Sequence, residues 1–418
     1  MPTTKSADRP LQIGLIGFGC VGQGLYDILE KLPELNAHIR RIAVKNPTKA
    51  RPLPHDRFDF HADDLLQDPE LDILVEVIDD PTEAFRLVST ALRQGRRIVT
   101  ANKAMVARHL TELVALQREF GGTLLYEAAV CGSIPIVRTL DAYFSHEPLE
   151  SVSGIFNGSS NYVLSRMTEE GSDYTPALAE AQALGFAETD PTLDMAAFDP
   201  RSKATILAAH AYGLLLEPEQ VLNLGIENVT AQDIRYAAAL GQKIKVVASL
   251  QKLPDGRVTA FVTPQFVAAT APLYTVEREF NGVVLEATYA GTQFLSGCGA
   301  GGHPTGSAVL ADLVALRAGL RYSYAKLTTT EKSTYTTDLE VEVYVRRPDE
   351  DASNLLTFST ISQDNPAEGY AVGYVSLAQL LRHRDALRRS GTFVARTGKI
   401  RLLQAKANTI SETAALTV

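Results

Sequence analysis

Apolar residues fall in short runs separated by helix-length stretches over the first 130 positions. Leu11 to Gly17 (LQIGLIG) reads as a buried strand that enters a glycine-rich turn and a helix through Leu32. Ile39–Lys45, Leu71–Ile78 (LDILVEVI), Arg97–Thr100 and Gly122–Ala128 read as further strands, with helical stretches at Thr82–Gly95 and Ala107–Phe120. Strands alternating with helices predict an α/β fold built on a Rossmann-type, doubly wound parallel sheet.

The pattern changes near residue 150. Glu150–Phe156 reads as a strand, and Ser160–Glu170, Pro176–Leu184 and the mostly apolar Ser202–Leu216 as helices. Strand-like runs recur at Lys243–Leu250, Arg257–Val262 and Gly282–Tyr289, which predicts a mixed α+β domain whose sheet covers helices on one face. The glycine-rich run Gly297–Gly302 precedes a helix at Ser307–Arg317. Thr328–Thr337 is polar and Thr-rich, a candidate linker. The tail carries strand-like LEVEVYVR and YAVGYVSL, then a basic helix at Ala378–Arg389.

Composition adds limits. The 418 residues suggest roughly two to three domains at about 150 residues each. With Lys+Arg 40 against Asp+Glu 49, the net charge of −9 gives no basic excess for a nucleic-acid or anionic-membrane partner. Cys20, Cys131 and Cys298 are too few and too scattered for a disulfide framework or a zinc site. Met1–Pro10 has no apolar signal core, and the longest apolar run is far short of the ~20 residues of a membrane span. A soluble, cytoplasmic protein is expected.

Gly17-Phe18-Gly19-Cys20-Val21-Gly22 is a GxGxxG turn directly after a strand and opening a helix. The first glycine makes the tight turn, the second lets the backbone approach a pyrophosphate, and the third lets helix pack on strand. The helix N-terminus then offers unpaired N–H groups to phosphate. An acid at the end of the second strand would mark NAD, but that strand ends Ala43-Val44-Lys45-Asn46, with Lys49 and Arg51 following. The cluster favours NADP(H) with NAD(H) use left open; a set of solvated loop charges is the competing explanation.

Three carboxylates, Glu188, Asp190 and Asp194, fall within seven residues, and Asp199-Pro200-Arg201-Ser202-Lys203 follows. Asp199 then Pro200 reads as a helix start, with Asp199 as N-cap and Pro200 at the first helical position. Lys203, one turn in, shares a face with Asp199. The helix dipole and burial favour its neutral form, which suits a proton donor and acceptor working near neutral pH, while the carboxylates pull the other way. An acidic surface loop with a capped helix is the bland alternative.

The ordered motifs GLIGFGCVGQG, VTANKA, YEAAVCGSIPI, GIFNGSSNYVLS, LGFAETDPTLDMAAFDPRSK and GAGGHPTGSAV make residues 11–325 resemble homoserine dehydrogenase. The resemblance implies an NAD(P)-dependent oxidoreductase interconverting L-homoserine and L-aspartate 4-semialdehyde, on the route to threonine and methionine. It puts Lys203 on the catalytic lysine that protonates the aldehyde oxygen and Lys103 on a second lysine near nicotinamide and substrate. Glu188 and Asp194 fall on substrate-holding residues, and Asp199 on a carboxylate supporting the lysine. It implies a structural sodium ion on Glu127 and the carbonyls of Val130, Gly132 and Ile134. Gly301 or Gly302 would return the backbone to the cofactor. A homodimer formed through the middle sheet is also implied.

Two features depart from the family's pattern. Asp79-Asp80 stands where a Gly-Gly pair is usual, beside the expected cofactor. The tail has Arg347-Pro348-Asp349-Glu350-Asp351 where a small regulatory ACT domain would have a Pro-Gly turn. The expected plan is therefore a nucleotide-binding domain at 1–150 and a substrate-binding and dimerisation domain inserted at 151–296. The chain returns to the first domain at 297–328, and 329–418 forms a C-terminal α/β extension, ACT-like or unrelated. Another amino-acid or semialdehyde dehydrogenase of this architecture, or a non-catalytic NADP or amino-acid sensor, are the alternatives; the complete set Lys103, Glu188, Asp194, Asp199 and Lys203 speaks for catalysis.

Overall fold

The computed structural model describes residues 9–347 and 355–403. Six strands form the first sheet: β1 (Leu11–Ile16), β2 (Ala37–Ala43), β3 (Phe58–Asp59), β4 (Ile73–Glu76), β5 (Arg97–Thr100) and β6 (Thr123–Leu125). Their order is β3-β2-β1-β4-β5-β6 and every pair is parallel. This is the doubly wound sheet expected from the sequence. The order reverses between β1 and β4, and such a switch point opens a crevice at the carboxyl ends of the strands. All four residues of β4 are buried, as strands covered by helices on both faces must be. The two-residue β3 is too short to show in any periodicity. The strand expected over Gly122–Ala128 stops at Leu125 and becomes a tight turn at Glu127–Ala129.

The second sheet contains β7 (Leu149–Ile155), β8 (Leu222–Asn223), β9 (Gln242–Lys252), β10 (Val258–Ala268), β11 (Phe280–Ala287), β12 (Gly291–Cys298), β13 (Leu339–Arg346), β14 (Thr360–Asn365), β15 (Tyr370–Ser376) and β16 (Phe393–Leu402). The order is β12-β11-β7-β9-β10-β16-β13-β15-β14, with β8 on β10. Residues 244–250 of β9 are buried without a break, and the helix Phe198–Tyr212 packs against β9 and β10. All of that helix except Phe198 and Ser202 is buried, which makes it a central core helix.

Two connections matter for the site. The helix Gly302–Arg317 returns to pack on the helix Cys20–Lys31. A Cβ on Gly24 would lie 2.1 Å from the Gly302 carbonyl oxygen, and one on Gly306 2.7 Å from the Leu25 nitrogen, so both glycines permit that approach. The tail is continuous with the second sheet: β16 pairs with β10 at Arg396↔Gln265, and the Arg396 side chain donates to Thr263, Ser249 and Gln265. The Thr-rich stretch read as a linker is docked, because Val258 N donates to Thr334 O and Thr336 N to Val258 O. Pro348–Asp351 lies outside the described residues. Among the described residues no helix is long and apolar enough to cross a membrane.

Candidate active site

The glycine turn has the geometry its spacing predicts. Gly17 has φ +102°, and a Cβ there would lie 2.7 Å from the Val77 carbonyl oxygen; one on Gly22 would lie 2.5 Å from the Gly17 carbonyl oxygen. Gly19 differs, since nothing lies within 4 Å of its Cβ position. It is the N-cap of Cys20–Lys31, and the first turn of that helix holds no acid. Exposed N–H groups with open space above them make an anion cradle.

That cradle forms part of a cleft of about 870 Å³. Ile16–Val21, Val44, Lys45, Asn46, Lys49 and Arg51 line one side, and Val77–Asp80, Glu83 and Glu188 the other. Gly22 and Gly302 pack behind it; a Cβ on Gly302 would lie 2.8 Å from the Cys20 carbonyl oxygen. Asn46 Oδ1 accepts from Thr48 N, Thr48 Oγ1 and Lys49 N, and Arg51 donates to the carbonyls of Asn46 and Lys49, so the basic loop is ordered. Asp80 caps the helix Pro81–Arg93 by accepting from Thr82 N and Glu83 N. That gives one member of the unexpected acid pair a structural job.

The second half of the site is an ion cluster. Lys103 opens the helix Lys103–Phe120, N-capped by Asn102. Its Nζ lies 2.6 Å from Asp199 Oδ1, and Lys203 Nζ donates to Asp199 Oδ2 at 2.8 Å and to the Phe156 carbonyl at 2.6 Å. The Lys103 side chain is 45% exposed, whereas those of Lys203 and Asp199 are 8% and 2% exposed. Two of the three N–H donors of Lys203 are thus engaged.

Asp199 is not the N-cap that the sequence suggested. Ala197, at φ +61°, is the N-cap, and Phe198 is the first helical residue. Pro200 is then the third, where its missing N–H still costs the helix nothing. The shift turns the Asp199 carboxylate away from capping and onto the two lysines.

Asn157 was not singled out in the sequence, and it joins the carboxylates. Its Oδ1 accepts from Ser160 N, capping the helix Gly158–Glu170, and its Nδ2 donates to Asp194 Oδ1 at 2.7 Å and Asp199 Oδ2 at 2.9 Å. An Asn directly before a helix start was the available signal. It identifies a cap, but says nothing of what the other end of the amide meets.

Electrostatics follow from this packing. Burial alone would push Asp199 up, but the ammoniums of Lys103 and Lys203 hold it well below the usual carboxylate range. Asp199 in turn raises Lys103 despite the desolvation that opposes it, and Asp194 and Glu188 add to the effect. Asp194 is raised by burial and by the charge of Asp199, against the pull of Asn157 and Lys103. Glu188 is exposed, on a loop held by Gln182 donating to the Glu188 and Thr189 carbonyls. It lines the cofactor-side cleft, and its charge acts on Lys103.

Glu127 sits elsewhere. Its carboxylate accepts from Val137 N, Arg138 N and Arg138 Nε, and its own N–H donates to Asp312 Oδ2. The following loop passes through left-handed Cys131 and Gly132, φ +57° and +56°. Ser133 then bonds the Cys298 carbonyl and tethers the second glycine run. The Ile134 carbonyl accepts from Ile136 N.

Comparisons with known proteins identify the family. The family description "Homoserine dehydrogenase, NAD binding domain" matches residues 17–127, and "Homoserine dehydrogenase" matches residues 135–314. A homoserine dehydrogenase of Pseudomonas aeruginosa is 36% identical over 318 residues, covering 73% of this chain and 72% of the relative. A homoserine dehydrogenase structure from Thiobacillus denitrificans superposes with TM-score 0.78 at 29% identity, covering 94% of this chain and 97% of that one. A hyperthermophilic archaeal homoserine dehydrogenase, solved in complex with NADPH, gives TM-score 0.64 at 26% identity over 75% and 99% of the two chains. The chain belongs to the homoserine dehydrogenase family, oxidoreductases that transfer hydride reversibly between L-homoserine and L-aspartate 4-semialdehyde with a nicotinamide cofactor.

Proposed function

We propose that the Lys103–Asp199–Lys203 cluster is the catalytic centre of this dehydrogenase; the observation that carries the reading is one buried carboxylate bridging two ammoniums beside the cofactor cleft. The bound nicotinamide supplies or accepts the hydride. Lys203 Nζ, with one donor position left, gives its proton to the forming alkoxide in reduction and takes it back in oxidation. Asp199 fixes that nitrogen against the Phe156 carbonyl. Lys103, partly exposed, orients the oxygen end of the substrate, while Glu188 and Asp194 accept its ammonium, as an amino-acid substrate requires.

NADP(H) is the preferred cofactor in this reading. The chain's residues fit a dinucleotide phosphate: the open space over Gly19 admits the pyrophosphate, and Lys45, Lys49 and Arg51 ring the place of a 2′-phosphate. The NADPH complex of the archaeal relative supports the same choice. The acids Asp79 and Glu83 across the cleft oppose it in part. The test is homoserine oxidation with NAD and NADP side by side; a Lys45→Ala, Lys49→Ala double variant is expected to raise KM for NADP about tenfold and leave KM for NAD nearly unchanged. Equal effects on both cofactors refute the assignment.

A sodium site at Glu127, Val130, Gly132 and Ile134 fits only in part. The Glu127 carboxylate and the Ile134 carbonyl have partners of their own, so the loop carbonyls of Val130 and Gly132 are the proposed ligands and the reaction takes no step through the ion. Exchanging sodium for choline should then lower Tm without changing KM; an unchanged Tm removes the site.

The division at 150 is supported by the two sheets and the return at 297–328 by the helix Gly302–Arg317, while the tail after 328 shares the second sheet with the middle domain. The tail's strand order, β16-β13-β15-β14, with the helix Leu377–Arg389 between β15 and β16, supports an ACT-like extension. A cytoplasmic homodimer serving threonine and methionine synthesis completes the proposal; light scattering at monomer mass would refute the dimer.

A further inference from the structure

The mechanism leaves one buried acid unused. Glu76 closes β4 with 1% exposure, in register with Ile16 of β1 and Thr100 of β5. Its Oε1 accepts from Ile78 N at 2.8 Å, and its Oε2 accepts from Thr100 Oγ1 at 2.5 Å. The Thr100 oxygen accepts from Asn102 N at 3.0 Å. Asn102 Nδ2 closes the ring by donating to the Ile78 carbonyl at 3.0 Å, and its Oδ1 accepts from Met105 N.

This ring has two outlets. Val77–Asp80 is a wall of the cofactor cleft. Asn102 directly precedes Lys103 and caps its helix. A buried carboxylate is costly wherever an apolar residue would pack as well, so its retention needs a use that packing does not supply. The carboxylate accepts from Ile78 in the wall and from Thr100, whose oxygen in turn accepts from Asn102 N, so it links the two outlets through one intervening hydroxyl.

We infer that Glu76 is a positioning residue for hydride transfer, holding the cofactor wall and Lys103 at one set distance. The inference rests on the role given to Lys103 above. Each partner of Glu76 donates to it, so the ionised form makes the tie. On protonation Oε2 carries the hydrogen and donates to Thr100 Oγ1, so the Thr100 hydrogen is displaced and the charge-assisted bond becomes a neutral one of opposite direction. Ile16 and Thr100, on the flanking strands, are uncharged; Asp79, on the following loop, is the charge that acts on it. Burial, with a small addition from Asp79, raises Glu76 to about 7 against the larger pull of Thr100 and Ile78. The charge-assisted tie is therefore complete above that pH and gives way to the weaker reversed bond as pH falls through it.

Glu76→Gln presents an N–H to Thr100 at every pH and copies the protonated state. Its kcat for homoserine oxidation is expected to be about tenfold low at pH 8, because small displacements of reacting groups cost that much or more. It should also lack the part of the wild-type kcat–pH profile centred near 7, with KM for homoserine little changed and Tm not lowered. If Glu76→Gln does not fold, Thr100→Val carries the test: it removes the donor and should show the same kcat loss, which Thr100→Ser reverses. Wild-type kcat and pH profile in both Glu76→Gln and Thr100→Val overturn the inference. Lys103→Met run in parallel separates the two readings. If Lys103→Met is inactive and Glu76→Gln normal, only the tie falls; if Lys103→Met is active, the assignment of Lys103 falls and takes the tie with it.

Discussion

Asp199→Asn isolates the centre of the cluster, because the new side chain has the same shape and no charge. Asp199 now meets Lys103 at 2.6 Å, Lys203 at 2.8 Å and Asn157 Nδ2 at 2.9 Å. An amide has one acceptor oxygen, and its NH2 must face at least one of those donors. The less costly orientation turns the NH2 to the half-exposed Lys103 and keeps the oxygen on Lys203 and Asn157, which leaves Lys203 almost buried without a charged partner. Stranding one member of a buried pair costs about 3–5 kcal/mol. Lys103 adds at most about 1 kcal/mol, since nearly half of its side chain is in solvent. The expected loss is therefore about 4 kcal/mol, a fall in Tm on the order of 10 °C.

The pH dependence of that loss has a definite sign. Asp199 is held below its ordinary range, so its contribution is present above its unfolded pKa of about 4 and disappears as pH falls through the lower folded value. The Tm difference between wild type and Asp199→Asn should be constant from about pH 5 to 8 and shrink below about pH 4. Turnover, followed by nicotinamide absorbance at saturating substrate, should fall roughly 100-fold, the scale of a misplaced general acid–base group. A variant within threefold of wild-type kcat, or a Tm gap that widens toward low pH, refutes the reasoning.

Lys203→Ala should lower kcat by a factor of about 10² to 10⁴ while NADPH binding, measured by fluorescence titration, stays near normal; near-normal turnover would remove Lys203 from the mechanism. Gly19→Ala and Gly22→Ala should part company. The first adds a methyl to open space over the phosphate cradle, so it should weaken NADPH binding at least tenfold with an unchanged Tm. The second drives a methyl to 2.5 Å from the Gly17 carbonyl oxygen and should lower Tm. Equal melting temperatures for the two would contradict the backbone geometry of the turn.

Much of this protein was legible in its residues. The alternation of strand and helix to residue 128 determined the doubly wound sheet, because apolar runs and glycine turns are local signals. The glycine spacing located the cofactor cleft, and the run from Gly185 to Lys203 located the charged half of the site, with Lys203 one helical turn from Asp199. Only the tertiary structure decided what those charges do to one another. Ala197 in a left-handed conformation displaced the helix start and freed Asp199 for two lysines, one of them 96 positions upstream in sequence. Asn157, not singled out in the sequence, caps its helix and also bridges two carboxylates. Glu76 read as one more strand residue until Thr100 came beside it. The tail's strands were visible, but its union with the middle sheet rests on the pairing of β16 with β10, which joins residues about 130 apart. Local periodicity fixes which way a chain runs and which face it buries. Ion pairs and hydrogen-bond rings form between segments distant in sequence, and their energies depend on burial that exists only after the chain has closed.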